Sequence, residues 1–300
     1  MLICDHVEVD KLSLGESVQV DYLPTLTREQ LLEAVDKYDA LIVRSRTKVD
    51  REVLDRATKL KLVARPGTGL DNVDVEYAKS KGVAVMNSPD SLVESVAEHV
   101  VLLMLAVSRK VVKADVSTKE GKWEKNSLTG RELKGKTLGI VGFGRIGRRI
   151  AELARAMGMS IVTYDVIPIP QASLDAVNAK VLPLDDLFSV SDFVTLHVPM
   201  TPDTRHMVGK NRLSMMRKGS VVINTSRGGV IEEDALASAL SEGRIGGAGL
   251  DVFETEPPIG AILTAPNTVL TPHIGGQTEE AQDDAIVSIG EKVRTFFAKP

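Results

Sequence analysis

Three charged residues, each just past an apolar run, are of types that together could carry out oxidoreduction. They are Arg227 in Asn224-Thr-Ser-Arg-Gly-Gly229, Glu256 in Leu250-Asp-Val-Phe-Glu-Thr-Glu-Pro-Pro258, and His273 in Thr271-Pro-His-Ile-Gly-Gly276. If the runs are strands of one open α/β sheet, these residues lie outside its carboxyl edge, where such sheets bind ligands. Interconverting a 2-hydroxy acid and a 2-oxo acid needs a cation for the carboxylate and carbonyl, a proton carrier for the hydroxyl, and a group that holds the carrier charged. Arg227, His273 and Glu256 fit those roles in that order. The planar fork of Arg can bond both carboxylate oxygens, and an acid beside a His favours the imidazolium. Taken singly, each has a plainer reading: a surface charge, a loop acid, a His at a helix entry.

The hydride in such chemistry comes from a dinucleotide, and the chain carries a unit for one. Thr137–Val141 reads as a strand, Gly142-Phe-Gly144-Arg-Ile-Gly147 follows at once, and Ile146–Met157 reads as a helix. Gly142 allows the tight turn, Gly144 lets a pyrophosphate approach the backbone, and Gly147 lets helix and strand pack closely. The helix start offers free N–H groups and a positive dipole end to phosphate. Asp165, just past the next strand, completes the pattern; a carboxylate there accepts both ribose hydroxyls and repels a 2′-phosphate, so NAD rather than NADP is expected.

The elements that must position these residues form two successive stretches. In the first, Leu2–Cys4, Val18–Leu23, Ala40–Val43, Leu60–Ala64 and Val83–Met86 read as short buried strands, with Arg28–Tyr38, Arg51–Ala57 and Val75–Lys81 at helical spacing between them. The second continues from Thr137–Val141 with strands at Ser160–Tyr164, Phe193–Leu196, Val221–Asn224, Ala248–Val252 and Thr268–Leu270. Its helices are placed at Leu184–Leu187, Glu232–Ser241 and Glu279–Phe297. Strands alternating with helices predict parallel sheets with right-handed crossovers, hence an α/β protein of two doubly wound domains. Between the stretches, Ser91–Lys113 predicts one long apolar connector helix. The polar segment Ser117–Lys134, with the only Trp, is either a surface excursion or an arm packing on a second subunit.

Composition narrows the partners. The 300 residues suggest two domains at roughly 150 residues each. A net charge of -4 leaves no basic footprint for nucleic acid or anionic membrane. The longest apolar run, Val100–Val107, is far shorter than the roughly 20 residues of a membrane span. Cys4 is the only cysteine, so an internal disulfide and a multi-cysteine metal site are excluded, and a reducing cytosol is expected.

The string of motifs resembles the D-isomer-specific 2-hydroxyacid dehydrogenase family over nearly the whole chain. It runs through Arg65-Pro-Gly-Thr-Gly-Leu-Asp-Asn-Val-Asp74, Val141–Gly147, Leu196-His-Val-Pro-Met-Thr-Pro-Asp-Thr204, Asn224–Gly229, Gly249–Pro257 and Pro272–Gly276. The resemblance implies that Arg227, Glu256 and His273 match the family's catalytic Arg, Glu and His. It also implies that Thr68, Arg145, Ile146, Asp165, Val198, Thr225, Asp251 and the turn through Gly275 and Gly276 line the NAD. A discontinuous architecture follows from it: a flavodoxin-like substrate domain of residues 1–90 plus 279–300, and an inserted Rossmann domain of residues 91–278 that includes the connector and dimer arm, 91–134. The resemblance also implies a cleft between the domains and a homodimer.

Within the family, Ala40–Val49 and Arg65–Asn72 resemble the branch that oxidises 3-phospho-D-glycerate. On that reading Arg44, Ser45, Arg46, Arg65 and Gly67 contact substrate, the three arginines binding a dianionic phosphate; alternatively, one or two of the arginines, Arg46 among them, are solvated surface charges. Asn87–Glu98 lacks that branch's Gly-Asn loop and looks more like the glyoxylate or hydroxypyruvate reductases, and Pro66 stands where the branch usually has Ala. The end at Pro300 leads us to expect no regulatory domain and no serine feedback. Glu256 disfavours formate dehydrogenase, which carries Gln there. A non-catalytic NAD-sensing scaffold on this fold stays open at this point.

Overall fold

The computed structural model describes residues 1–15 and 18–298. The chain folds into two compact units, one of Met1–Val93 with the residues from Gly276 onward, the other of Glu94–Gly275.

In the first unit the strands are β1 (Leu2–Ile3), β2 (Asp21–Tyr22), β3 (Ala40–Ile42), β4 (Leu62–Arg65) and β5 (Ala84–Asn87), and the helices are α1 (Arg28–Ala34), α2 (Arg51–Arg56) and α3 (Val75–Ser80). The sheet order is β2-β1-β3-β4-β5 with every pairing parallel, the order of flavodoxin-like sheets. Each helix starts on a side-chain cap: Thr27 in a full capping box with Gln30, Asp50 on the Val53 N–H, Asp74 on the Tyr77 N–H. Alternation along the strands divides the apolar side chains between two cores. Leu2, Leu41 and Val63 pack with Leu31, Val53 and Ala78 of the three helices. Ile3, Ala40, Ile42, Leu62 and Ala64 face the other way, onto Ile286, Ile289 and Val293 of the chain's last helix, Glu279–Ala298.

The second unit opens with two helices, α4 (Val93–Ser108) and α5 (Val111–Lys119), where one continuous helix was expected over Ser91–Lys113. The break has a local cause. Lys110 takes the left-handed conformation, with φ 52°, and the Ser108 carbonyl at the helix end accepts the Arg131 N–H at 3.0 Å. The polar segment that follows is therefore helical to Lys119 and irregular beyond it, with Trp123 85% exposed.

The remaining elements are β6 (Thr137–Val141), α6 (Arg145–Ala156), β7 (Ser160–Tyr164), α7 (Gln171–Val177), β8 (Ala179–Val181), α8 (Leu184–Val190), β9 (Phe193–Leu196), α9 (Lys210–Met215), β10 (Val221–Asn224), α10 (Glu233–Ser241), β11 (Gly247–Leu250) and β12 (Thr268–Leu270). Their order, β12-β11-β10-β9-β6-β7-β8, is all parallel. It is the Rossmann order with one strand added, and its direction reverses between β6 and β9. Elements α7, β8 and α9 are additions to the sequence expectation, and the strand expected over Ala248–Val252 spans Gly247–Leu250. The second expected strand, Val18–Leu23, pairs only over Asp21–Tyr22. Among the described residues no helix is long and apolar enough to cross a membrane.

Candidate active site

Register gathers the site. Val141 pairs with Tyr164 on one side and Leu196 on the other, Leu196 with Asn224, Asn224 with Leu250, and Leu250 with Leu270. All six strands thus end level, and the residues that follow, Asp165, Gly142, His197, Thr225, Asp251 and Thr271, stand in a row along the carboxyl edge, spaced by about 4.8 Å per strand.

Two of the three glycines at the start of α6 answer to a measurable steric constraint, and the third does not. Gly142 has φ 92°, and a Cβ there would lie 2.3 Å from the His197 carbonyl oxygen. A Cβ on Gly147 would lie 2.3 Å from the Gly142 oxygen, whereas one on Gly144 would meet no atom within 4 Å. The middle glycine faces open space, as the approach of a pyrophosphate requires, and no side chain caps the start of α6. Asp165 accepts the Phe143 N–H at 2.7 Å and the Ile167 N–H at 3.0 Å, so it anchors the turn while retaining acceptor capacity. The Thr225 hydroxyl is buried without a hydrogen-bond partner among the described residues, and Val198 flanks Gly142. Open cradle, acid and orphaned hydroxyl together fit NAD: Asp165 would take the ribose, the α6 turn with Arg145 and Ile146 the pyrophosphate, and Thr225 and Val198 the edge beyond.

At the end of β10, buried Asn224 folds the chain back on itself. Its Oδ1 accepts from the Ser226 N–H (3.0 Å) and Oγ (2.8 Å), and its amide donates to the Arg227 carbonyl at 2.9 Å. This Asx turn presents Arg227, whose Nη1 donates to the Ser226 carbonyl at 2.6 Å. The next residue, Gly228, lies so close to the Phe253 carbonyl that a Cβ would fall 1.8 Å from its carbon. The Arg227 turn therefore backs directly onto the loop bearing Glu256. Glu233 and Glu254 brace that loop by exchanging backbone hydrogen bonds with each other's carboxylates. Burial raises the Glu233 carboxyl, with the nearby Glu254, Asp234 and Glu256 charges acting in the same direction.

His273 receives its partner from this loop: Nδ1 lies 3.0 Å from Glu256 Oε2 and 3.2 Å from Oε1. A carboxylate on Nδ1 makes that nitrogen the proton-bearing one and leaves Nε2 for proton exchange. His273 itself has φ 55°, a conformation a non-glycine residue adopts at a cost. Asp251, 1% exposed, holds it there by accepting the Ile274 and Gly275 N–H groups, each at 2.8 Å. Burial pushes the Asp251 carboxyl up, but hydrogen bonds from His99, Thr271 and those amides outweigh it and hold it below the usual range. The carboxylate of Asp251, which the resemblance implies beside the cofactor, is engaged with the His273 turn. His197, beside Gly142, bonds Thr195 Oγ1 at 2.8 Å, and burial lowers it to about 3, so the ring is neutral.

The first unit has its own polar loops, at the ends of β3 and β4. Asp5, 3% exposed, accepts the backbone N–H of Arg44 at 2.6 Å and pairs with Arg46 Nε at 2.9 Å. The other Arg46 donors go to the carbonyls of Leu26, Pro24 and Cys4. Arg46 thus ties three segments together, the work of a structural pin. Arg44 is half-buried, its guanidinium bonded to Gln282, and burial lowers its pKa. Arg65 is half-buried at the end of β4, Ser45 is exposed, and Gly67, with φ 134°, donates its N–H to Ser88 Oγ at 2.7 Å. Thr68 Oγ1 is buried without a hydrogen-bond partner among the described residues. Asn72, which bonds the Arg44 and Thr47 carbonyls, and Asp5 were missed in the sequence, where only Asp5, an acid just after a buried strand, carried a hint of its role.

Residues 101–275 match the model of the D-isomer specific 2-hydroxyacid dehydrogenase NAD binding domain. The chain is 43% identical to D-3-phosphoglycerate dehydrogenase of Methanocaldococcus jannaschii over 98% of its own length and 56% of that protein. It is 45% identical to hydroxypyruvate reductase of Thermotoga maritima over 89% of itself and 88% of that protein. In structure it matches a glyoxylate reductase from Paecilomyes thermophila with TM-score 0.93 at 31% identity, covering 99% of this chain and 95% of that one. The chain belongs to the D-isomer specific 2-hydroxyacid dehydrogenase family. It spans a little over half the length of the phosphoglycerate dehydrogenase it matches.

Proposed function

We propose that this chain catalyses the NAD-dependent oxidation of 3-phospho-D-glycerate to 3-phosphohydroxypyruvate, or the reverse reduction. The observation that carries the reaction type is the His273–Glu256 pair, 3.0 Å apart on the sheet edge that bears Asp165 and the glycine-rich turn. Bound NAD supplies the acceptor for the hydride leaving substrate C2. His273 takes the hydroxyl proton at Nε2 as the carbonyl forms, and Glu256 on Nδ1 holds the ring and stabilises the imidazolium. Arg227 bonds the carboxylate and draws electron density from the carbonyl oxygen. In reduction the same groups act in reverse order.

The substrate assignment is supported by the phosphoglycerate dehydrogenases among the relatives and by the arginines of the first unit. With Arg46 tied to Asp5 and three carbonyls, phosphate recognition falls to Arg44 and Arg65. A second reading, hydroxypyruvate or glyoxylate reductase, is favoured by the Thermotoga relative, matched over most of its length, and by the Ser91–Glu98 segment. A panel of both substrates with NAD and NADP, run on wild type and Arg44→Ala, decides. Loss of kcat/KM for phosphoglycerate by about 100-fold, with hydroxypyruvate spared, supports the first reading, since a charge-assisted contact is worth about 2–3 kcal/mol. Equal loss on both substrates, or a wild type that prefers hydroxypyruvate, supports the second.

We also propose a cytoplasmic homodimer. Leu102, Val111, Val112 and Trp123 are 56%, 51%, 50% and 85% exposed on α4, α5 and the segment after them. A groove of about 640 Å³ runs beside them, lined by Val112, Val116 and Val269. Apolar surface of this kind is what a second subunit covers. Light scattering at the mass of two chains is expected; a 32.4 kDa particle at micromolar concentration would contradict it.

A further inference from the structure

The turn that carries His273 is held from behind by residues with no role in the chemistry above. His99, on the buried face of α4, brings Nε2 to 3.0 Å from Thr271 Oγ1 and 3.3 Å from Asp251 Oδ1. Thr271 Oγ1 in turn donates to Asp251 Oδ1 at 2.6 Å. Because the Thr271 proton goes to Asp251, its oxygen is left to accept, and His99 must donate through Nε2. One helical turn earlier on α4, Ser95 Oγ donates to the Gly275 carbonyl at 2.7 Å. The Thr271–Gly275 backbone is thereby fixed through Asp251 on its N–H side and Ser95 on its carbonyl side, around the left-handed His273. His99 and Ser95 are 9% and 7% exposed, so water cannot readily replace them.

We propose that His99 is a positioning residue: acting through Thr271 and Asp251, it sets the orientation in which His273 meets Glu256 and the substrate. The proposal rests on His273 being the acid–base group. A neutral donor at Nε2 suffices, so Gln, which reaches a similar depth with an N–H, replaces His99, whereas Leu fills the space and donates nothing. Removal of the donor takes from Thr271 Oγ1 the N–H it accepts, leaves buried Asp251 one stabilising partner fewer and slackens the turn, and small misplacements of a proton carrier are costly in rate.

The test compares wild type, His99→Leu and His99→Gln by kcat, by KM for NADH, by thermal melting and by the rate at which diethyl pyrocarbonate modifies His273, read by peptide mass spectrometry. Expected for His99→Leu are a kcat lower by about tenfold, a KM for NADH within about twofold, and a changed His273 modification rate. His99→Gln is expected to restore all three to near wild type. The proposal is overturned if His99→Leu keeps wild-type kcat and modification rate, if Gln and Leu are equally impaired, or if the loss appears only in KM for NADH. If wild type turns over no 2-hydroxy acid, the reading of the reaction falls, while the modification rates still decide whether His99 sets the turn.

Discussion

Charge at the sheet edge is managed by where each side chain is allowed to meet water. His273 and Glu256 are half-exposed, their side chains 52% and 43% accessible, and are open to a ligand. His197, three strands from His273, is kept neutral by burial, which depresses it to about 3. In the unfolded chain the same residue takes a proton near its ordinary value of about 6.5. A group depressed in the folded state contributes stability that is present above the unfolded value and is lost as pH falls toward the folded one. His197 is therefore expected to cost stability between about pH 6.5 and about pH 3. Urea unfolding at a series of pH values should show a shallower acid limb for His197→Asn than for wild type; parallel curves would contradict the account. The residues to which the proposed chemistry falls, Arg227, Glu256 and His273, with Asp165 beside them, stand out in the sequence because their types and places past strands restrict what they can do. Arg46 does not, because its partners are backbone carbonyls at Cys4, Pro24 and Leu26, which no pattern of side chains reveals. His99 was hidden for the opposite reason: it occupies a core position of an apolar helix, where a His has no visible purpose until Thr271 and Asp251 are placed against it.

The strand–turn–helix unit of β6 and α6 separates two uses of glycine that look identical in sequence. Gly147 exists for the fold, since a Cβ there would strike the Gly142 oxygen at 2.3 Å, and backbone cannot yield as a flexible side chain would. Gly144 has ordinary φ and open space around it. Gly147→Ala is thus expected to destabilise the unfolding transition by about 1–3 kcal/mol, as overpacking does. Gly144→Ala is expected to melt like wild type yet to weaken NADH binding, because the methyl group occupies the approach of the pyrophosphate. Calorimetry with fluorescence titration checks both; equal melting losses in the two variants would sink the distinction. Elements with a strong period or a cap, such as α1, α6 and the central strands, were readable in the sequence. Elements α7, β8 and α9 were not: β8 is a three-residue edge strand of Ala-Lys-Val, partly exposed, with neither alternation nor an apolar run to mark it. The connector helix failed as a single helix because its end depends on Arg131, more than twenty residues on.

In the whole molecule, two sheets of known order bury their own cores, and the only thiol lies in the first. Cys4 ends β1 fully buried, and its thiol is pushed up to about 12 by burial and then by the Asp5 charge. A thiol in that state is not a nucleophile at neutral pH. Iodoacetamide is expected to leave the native protein unlabelled and to modify Cys4 only when urea opens the first unit; stoichiometric labelling in native buffer would contradict the packing. That same unit closes one of its two cores with a helix from far along the chain. The face of Ile3, Ile42 and Leu62 waits for Ile286, Ile289 and Val293, which are made only after all of Glu94–Gly275. The unit begun earlier must finish folding later, with one side of its sheet bare while Glu94–Gly275 is being made. For that interval the growing chain depends on chaperone cover or on speed.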